Sequence, residues 1–267
     1  MTAPAHVDPP AATALHSPPM RPLALITGAS RGIGRAIALA LAPEHALVLG
    51  GRDRRALDAL VTELRPLAHG PVNALPCELA DPTDRERFLS ELGNLCDQLG
   101  APVQVLVNNA GAAVSAPLHR TTDLAWAAAL ELNLGAPFAL TRALVPAMVK
   151  AGWGRVLNIA STAALKGYAY TAAYSASKAG LVGLTRALAV ELASKGVTVN
   201  TVSPGYVGTE MVRAIREDVL EKIIATIPVK RLGEPEEIAS IVSWLASEQS
   251  GFTTGANFAC NGGNHMG

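Results

Sequence analysis

The sequence predicts an α/β protein built on a doubly wound parallel sheet, and three observations carry that reading. From Pro22 onward, short and nearly continuous apolar runs alternate with longer amphipathic ones. Strands buried on both faces read as such runs, and the helices between them supply the covering layers. A glycine-rich turn, Thr27-Gly28-Ala29-Ser30-Arg31-Gly32-Ile33-Gly34, stands between the first apolar run and the first helical one. No linker interrupts the remainder, so 22–267 reads as one domain. Right-handed βαβ connections then wind outward from a central crevice, and ligands in such folds bind outside the carboxyl ends of the strands.

Taken in order, Leu23–Thr27 reads as a buried strand and Gly34–Leu41 opens a helix. Ala46–Leu49 is the second strand and Arg54–Leu67 the second helix, with Asp53 as its cap. Val72–Leu75 and Val103–Val107 are further strands, separated by the helical Thr83–Leu99. Thr122–Met148 reads as one long helical segment. Arg155–Ile159 returns to strand, Tyr174–Ser194 to helix and Val197–Val202 to strand. Glu210–Ala225 reads as a helical flap able to close over a substrate.

Composition narrows the function classes. Of 267 residues, 49% are apolar, enough for a sizeable core. Lys and Arg total 22 and Asp and Glu total 22, a balance that points to no nucleic-acid partner and no membrane. No apolar stretch reaches spanning length without a charge, Pro or Gly. Cys77, Cys96 and Cys260 are far apart and odd in number, as expected for free thiols in a reducing, cytoplasmic setting. The six histidines lack the spacing of metal ligands, so no metal is expected. Residues 1–21 form a Pro- and Ala-rich extension, expected to be disordered because such a segment cannot bury a core. It lacks the basic start and apolar centre of a signal peptide.

The residues with chemistry fall where the predicted strands end. Gly28, Gly32 and Gly34 let the backbone turn tightly and approach a pyrophosphate, while the helix start at Ser30, Arg31 and Ile33 offers N–H donors and a positive dipole end. The second strand ends Leu49-Gly50-Gly51-Arg52, with no carboxylate where a site preferring NAD would place one on the ribose. Arg52, assisted by Arg31, suits a 2′-phosphate, because a guanidinium donates two parallel hydrogen bonds. NADP(H) is therefore expected over NAD(H). Asn108-Asn109-Ala110-Gly111 ends the fourth strand; small residues admit a ribose, and an Asn amide can tie neighbouring strand ends. Asn133 lies inside an apolar helical run, where its amide either bonds a carbonyl four residues back or holds a water that relays protons.

Ser161 follows the strand ending at Ala160 and can donate to a carbonyl oxygen as negative charge builds there; Thr162 is its rival. Tyr174 and Lys178 are four apart, hence on one helical face. An ammonium beside a phenol should lower a pKa that is ordinarily near 10 and tune it for proton transfer. Pro204-Gly205-Tyr206-Val207-Gly208-Thr209 forms a loop that could cover a nicotinamide, with the Val207 backbone and the Thr209 hydroxyl meeting its carboxamide.

Together these residues resemble the short-chain dehydrogenase/reductase family, from Leu23 to the C-terminus. The resemblance implies a Rossmann-like sheet of about seven parallel strands and a catalytic tetrad of Asn133, Ser161, Tyr174 and Lys178. In such enzymes the tyrosine is the acid in reduction, the serine positions the carbonyl, the lysine holds the ribose hydroxyls, and the asparagine keeps a water in the relay. It implies that Leu79 contacts the adenine through its backbone, and the chain departs from the family pattern at Glu78, where Asp is usual. The C-terminal third resembles bacterial acetoacetyl-CoA and 3-oxoacyl reductases, with Tyr206 on the substrate side. The segment Leu165–Ala173, including Tyr168 and Thr171, looks more like that of other 3-oxoacyl and polyketide ketoreductases. The expected substrate is a small carbonyl compound or an acyl thioester, and the expected assembly a homotetramer. Broad carbonyl reduction of small, steroid or aromatic ketones, and NADP(H) sensing without turnover, are the competing expectations.

Overall fold

Seven parallel strands form one sheet in the order β3–β2–β1–β4–β5–β6–β7. They are β1 (Leu23–Thr27), β2 (Ala46–Gly51), β3 (Val72–Pro76), β4 (Val103–Asn108), β5 (Gly154–Ile159), β6 (Val197–Pro204) and β7 (Asn257–Cys260). This computed structural model describes residues 21–113 and 115–266. The expected N-terminal extension lies outside the described residues except for Arg21, whose guanidinium donates to the Pro43 carbonyl.

Each strand sends alternate side chains to opposite faces, and both faces are covered. Ala24 and Ile26 join one apolar layer, with Ile37 and Leu41 of α1 (Gly32–Leu41), Leu57 and Leu60 of α2 (Arg54–Leu64), and Ile238 and Val242 of α9 (Pro235–Ala246). Leu23 and Leu25 join the other, with Phe88 and Leu92 of α3 (Pro82–Leu99), Leu140 and Met148 of α5 (Ala136–Ala151), and Leu192 of α6 (Ala172–Leu192). Fully burying one such side chain is worth roughly 1.5–3 kcal/mol, so the absence of a polar face on β1 follows from its position at the centre of the sheet.

Predicted and observed elements agree in kind and mostly in extent. Asp53 caps α2, its carboxylate accepting from the Ala56 N–H at 3.0 Å. Three readings need correction. The first helix begins at Gly32, two residues before Gly34. The segment 122–148 is not one helix: α4 (Asp123–Leu130) passes through a π turn at Glu131–Gly135 before α5 begins. The flap is two helices, α7 (Glu210–Arg213) and α8 (Glu217–Thr226), separated at Ile215 and Arg216. The run Asp123–Ala151 has the length and apolarity of a membrane span, but a third of its most apolar 18-residue window is buried and α5 lies on β4 and β5.

A buried polar chain runs across the sheet toward α6. Asn108 at the end of β4 donates to Asn158 on β5 at 2.9 Å, and Asn158 donates to Thr185 of α6 at 2.8 Å. Thr201 on β6 also donates to Thr185, at 2.8 Å. These bonds tie the strands that carry the candidate chemistry to the helix that carries Tyr174 and Lys178. The sheet order reverses between β1 and β4, so the loops leaving these two strands open a crevice at their carboxyl ends.

Candidate active site

Parallel strands put all their carboxyl ends on one rim, and the predicted groups gather there. The glycine turn leaves β1, Arg52 follows β2, Leu79 follows β3, and Asn109–Gly111 leaves β4. Ser161 follows β5, and Pro204–Thr209 closes β6.

The turns after β1 and β4 are packed backbone to backbone. A Cβ on Gly34 would lie 2.2 Å from the Gly28 carbonyl oxygen, and one on Gly28 would lie 2.9 Å from Ala110 Cα. Such contacts are possible only for glycine. Thr27, which the sequence reading passed over, holds the junction: its hydroxyl accepts from the N–H groups of Asn109 and Ala110, each at 3.0 Å, and donates to the Val107 carbonyl at 3.2 Å. The Asn109 amide donates to the carbonyls of Thr27 and Gly28 at 2.9 and 3.1 Å. It ties the two strand ends, as expected. No side chain caps α1 at Arg31, so the N–H groups of its first turn are free of a side-chain acceptor and suit an anionic oxygen. The glycine cradle and this uncapped terminus fit a dinucleotide pyrophosphate.

The remaining cofactor-side candidates surround this cradle. Thr209 faces Gly32, where a Cβ would lie 3.2 Å from the Thr209 methyl. Val207 is buried and bridges to Gly233, and the Gly205 N–H donates to the Cys260 carbonyl at 3.0 Å. Leu79 is buried, its carbonyl accepting from Arg85 at 2.8 Å. Both arginines proposed for a 2′-phosphate are exposed and face carboxylates, Arg52 to Glu78 at 3.4 Å and Arg31 to Glu210 at 3.7 Å. Exposed pairs of this length are worth at most about 1 kcal/mol, so an incoming phosphate can compete for both guanidinium groups.

The Ser161 hydroxyl lies near enough to the Tyr174 phenol to pull its pKa down. Ser161 Oγ also accepts from the Ala163 N–H at 3.1 Å. Thr162, the rival, is buried and accepts from the Tyr168 hydroxyl at 3.3 Å. Lys178 is 4% exposed, and its ammonium donates to the Ile159 carbonyl at 2.7 Å. Asn133 lies in the π turn, fully buried. Its amide does not bond a carbonyl four residues back; it accepts from the Ala112 N–H at 3.0 Å and donates to the Ala112 carbonyl at 3.1 Å. It also donates to Ser177 at 3.1 Å, and Ser177 donates to the Tyr174 carbonyl at 2.8 Å. Ser177 is a further site-supporting residue, legible only as the serine inside Tyr174-Ser175-Ala176-Ser177-Lys178.

The expected direction of the Tyr174 shift is reversed. Burial pushes its pKa above the ordinary value, with the Ser161 hydroxyl pulling the other way. Lys178 does not offset this, because burial pushes its own pKa down to about 8 and its nitrogen sits 6.0 Å from the tyrosine ring centre. Both groups favour their neutral forms for the same reason, the loss of water around a charge. Among the substrate-side candidates, Tyr206 is edge-on to Tyr168 at 6.2 Å between ring centres. The Thr171 hydroxyl donates to the Tyr168 carbonyl at 2.9 Å. Cys77, Cys96 and Cys260 are free thiols, and among the described residues no group of His, Cys, Asp or Glu is arranged to hold a metal.

The profile of the enoyl-(acyl carrier protein) reductase family matches residues 28–265. The chain belongs to the short-chain dehydrogenase/reductase family. An acetoacetyl-CoA reductase of Cupriavidus necator is 46% identical, over 92% of this chain and 98% of its own. A 3-oxoacyl-[acyl-carrier-protein] reductase of Pseudomonas aeruginosa is 40% identical, over 91% and 97%. A crystal structure from Beutenbergia cavernae, assigned as an NAD(P)-dependent gluconate 5-dehydrogenase and holding NADP at low occupancy, superposes with a TM-score of 0.84 at 36% identity, over 91% and 96%. As a member of this family the protein is an oxidoreductase with a nicotinamide cofactor.

The buried lysine makes a prediction with a definite sign. The native state releases the Lys178 proton near pH 8, whereas an unfolded lysine keeps it to about 10.5. Between these values the unfolded state binds more protons, so stability rises with pH across the window, and the cost of burial is greatest below it. In urea titrations of the cofactor-free protein, the stability of wild type relative to Lys178→Met should rise by about 1–2 kcal/mol from pH 7.5 to 9.5. A constant difference would mean that Lys178 titrates as an ordinary lysine.

Proposed function

We propose that the protein is an NADPH-dependent ketoreductase that converts the 3-oxo group of a 3-oxoacyl thioester, of acetoacetyl-CoA type, to a 3-hydroxyacyl product. The observation that carries this reading is the hydroxyl pair Ser161–Tyr174 at the end of β5, beside the glycine cradle and backed by a buried lysine. The relatives at 46% and 40% identity, matched over nearly their whole length, support the thioester class. The cofactor, when bound, supplies hydride; the chain's own residues position the carbonyl and move the proton. Because Ser161 Oγ accepts from Ala163, the serine keeps its own proton to donate toward a substrate carbonyl oxygen. Tyr174, held in its proton-bearing form by burial, delivers that proton as the oxygen gains charge. Lys178 holds ribose hydroxyls, and Asn133 fixes the Ala112 backbone by accepting from its N–H and donating to its carbonyl.

NADPH is favoured because Arg52 stands where an NAD-preferring site would carry a carboxylate, and its exposed pairing with Glu78 is weak. The assembly we propose is a homotetramer, and exposed Leu124, Trp126 and Phe138 on α4 and α5 are apolar groups that association would cover. A second reading, reduction of simple or aromatic ketones, is favoured by the aromatic pair Tyr168–Tyr206. Initial rates with acetoacetyl-CoA and with a simple ketone, each with NADPH and NADH, separate the two. Brisk ketone turnover with slow thioester reduction would establish the second.

Two substitutions test the assigned roles. Tyr174→Phe should lower kcat by about 10²–10⁴-fold while leaving NADPH affinity within a few-fold, as read by steady-state kinetics and cofactor fluorescence. An equal loss of affinity would contradict a proton-transfer role. Arg52→Asp should move the NADPH/NADH preference toward NADH by about 10–100-fold, the scale of one charge-assisted contact; an unchanged ratio would mean that another group reads the phosphate.

A further inference from the structure

We propose that the C-terminal turn Asn261–His265 is a clasp that fixes the substrate entrance, with Asn264 and Lys166 as positioning residues for Tyr168. The proposal rests on the ketoreductase reading for the identity of what enters. Asn264 makes three hydrogen bonds to two groups of the segment that precedes α6. Its side-chain oxygen accepts from the Lys166 ammonium at 2.8 Å, and its backbone carbonyl accepts from the same nitrogen at 3.0 Å. Its amide donates to the Tyr168 hydroxyl at 2.9 Å. Tyr168 donates its one proton to Thr162, the residue after Ser161. The hydroxyl is thereby satisfied as donor and as acceptor, so its ring is fixed at both ends of the bond chain. The Lys166 nitrogen also lies 5.2 Å from the Tyr168 ring centre, within cation–π range.

The other side of the turn grips the end of the flap. The Val229 N–H donates to the Gly262 carbonyl at 3.3 Å. Gly262 has φ +62°, and a Cβ there would lie 2.6 Å from Val229 Cγ2, so the turn seats against the chain leaving α8. Asn261 shapes the turn from within, accepting from the Gly263 N–H and donating to the His265 carbonyl, each at 3.0 Å. Beneath it lies a cavity of about 210 Å³ lined by Tyr206, Ile227, Val229 and Cys260 among others. The turn therefore lines this cavity on one side and packs against Ile227–Val229 on the other, and these hydrogen bonds fix its free side. It joins the Tyr168 segment to the chain leaving α8, beside the loop after β6 that carries Tyr206. An acyl thioester is long enough to lie along the edge-on tyrosine pair, whereas a short ketone reaches only Ser161 and Tyr174.

The test pairs Asn264→Ala with Tyr168→Phe in the full-length protein. Hydrogen exchange of the cofactor-free protein should show amides 166–171 exchanging about tenfold faster in Asn264→Ala, with α1 and α2 unchanged. In kinetics, kcat/KM for acetoacetyl-CoA should fall about tenfold in either variant, and in Asn264→Ala kcat/KM for a short ketone and NADPH affinity should both stay within about twofold. The double variant should lose no more than the single ones, since both break one chain of bonds. Unchanged exchange at 166–171 overturns the clasp. Equal losses on thioester and ketone, or additive losses, overturn its part in substrate positioning. A wild type inactive on thioesters would defeat the functional reading, and exchange would then decide the clasp on its own.

Discussion

The junction between β1 and β4 is the constraint on which the rest of the site depends. Here the sheet changes direction, two turns leave on diverging paths, and their backbones approach closely enough to exclude any side chain at Gly28 and Gly34. One threonine hydroxyl and one asparagine amide supply the five hydrogen bonds that hold it. A cradle that must receive phosphate oxygens cannot fill itself with its own groups. Its rigidity has to come from partners behind it, and Thr27 and Asn109 are those partners. The same division appears on the other side of the crevice. There Asn133 and Ser177 support Ala112 and the backbone of Tyr174.

Burial and function act against each other at Tyr174 and Lys178. Removing water from a lysine favours its uncharged form, and removing it from a tyrosine favours the phenol. A site that is dry enough to strengthen its electrostatics therefore arrives with the tyrosine proton in place and a lysine that gives up its own more readily than an exposed one. The buried polar chain from Asn108 through Asn158 to Thr185 keeps α6 in register with the strand ends, so that this pair is carried by a helix and not by a mobile loop.

Much of this was legible in the residues. β1, β2 and the strands through β6 announce themselves as apolar runs, and the glycine turn, Asn108–Gly111, Ser161 and the Tyr174/Lys178 spacing mark the rim at which they end. What was not legible has physical reasons. β7 is four residues long and only partly buried, too short to show a pattern. The π turn hides in an apolar run because one extra residue in a turn leaves composition untouched. The direction of the Tyr174 shift is set by its own burial, with a buried Lys178 giving no offset, and spacing along a helix reveals neither. The contact of Asn264 with Lys166 spans 98 positions, and no local signal joins them. Thr27 and Ser177 act through single hydroxyls in settings where either residue would be unremarkable.

The π turn at Glu131–Gly135 has a genetic consequence. A π turn holds one residue more than the α-helix into which it is set, so the rows of side chains before and after it are offset by about 100° around the axis. Loss of a single codon between 131 and 135 would therefore leave a longer, more regular helix with better local hydrogen bonding. It would also swing the Asn133 amide away from Ala112. In most helices a one-residue deletion is a lesion of folding; in this one it would be a repair of the helix and a lesion of the site. The extra residue thus serves the crevice at the expense of the helix that carries it.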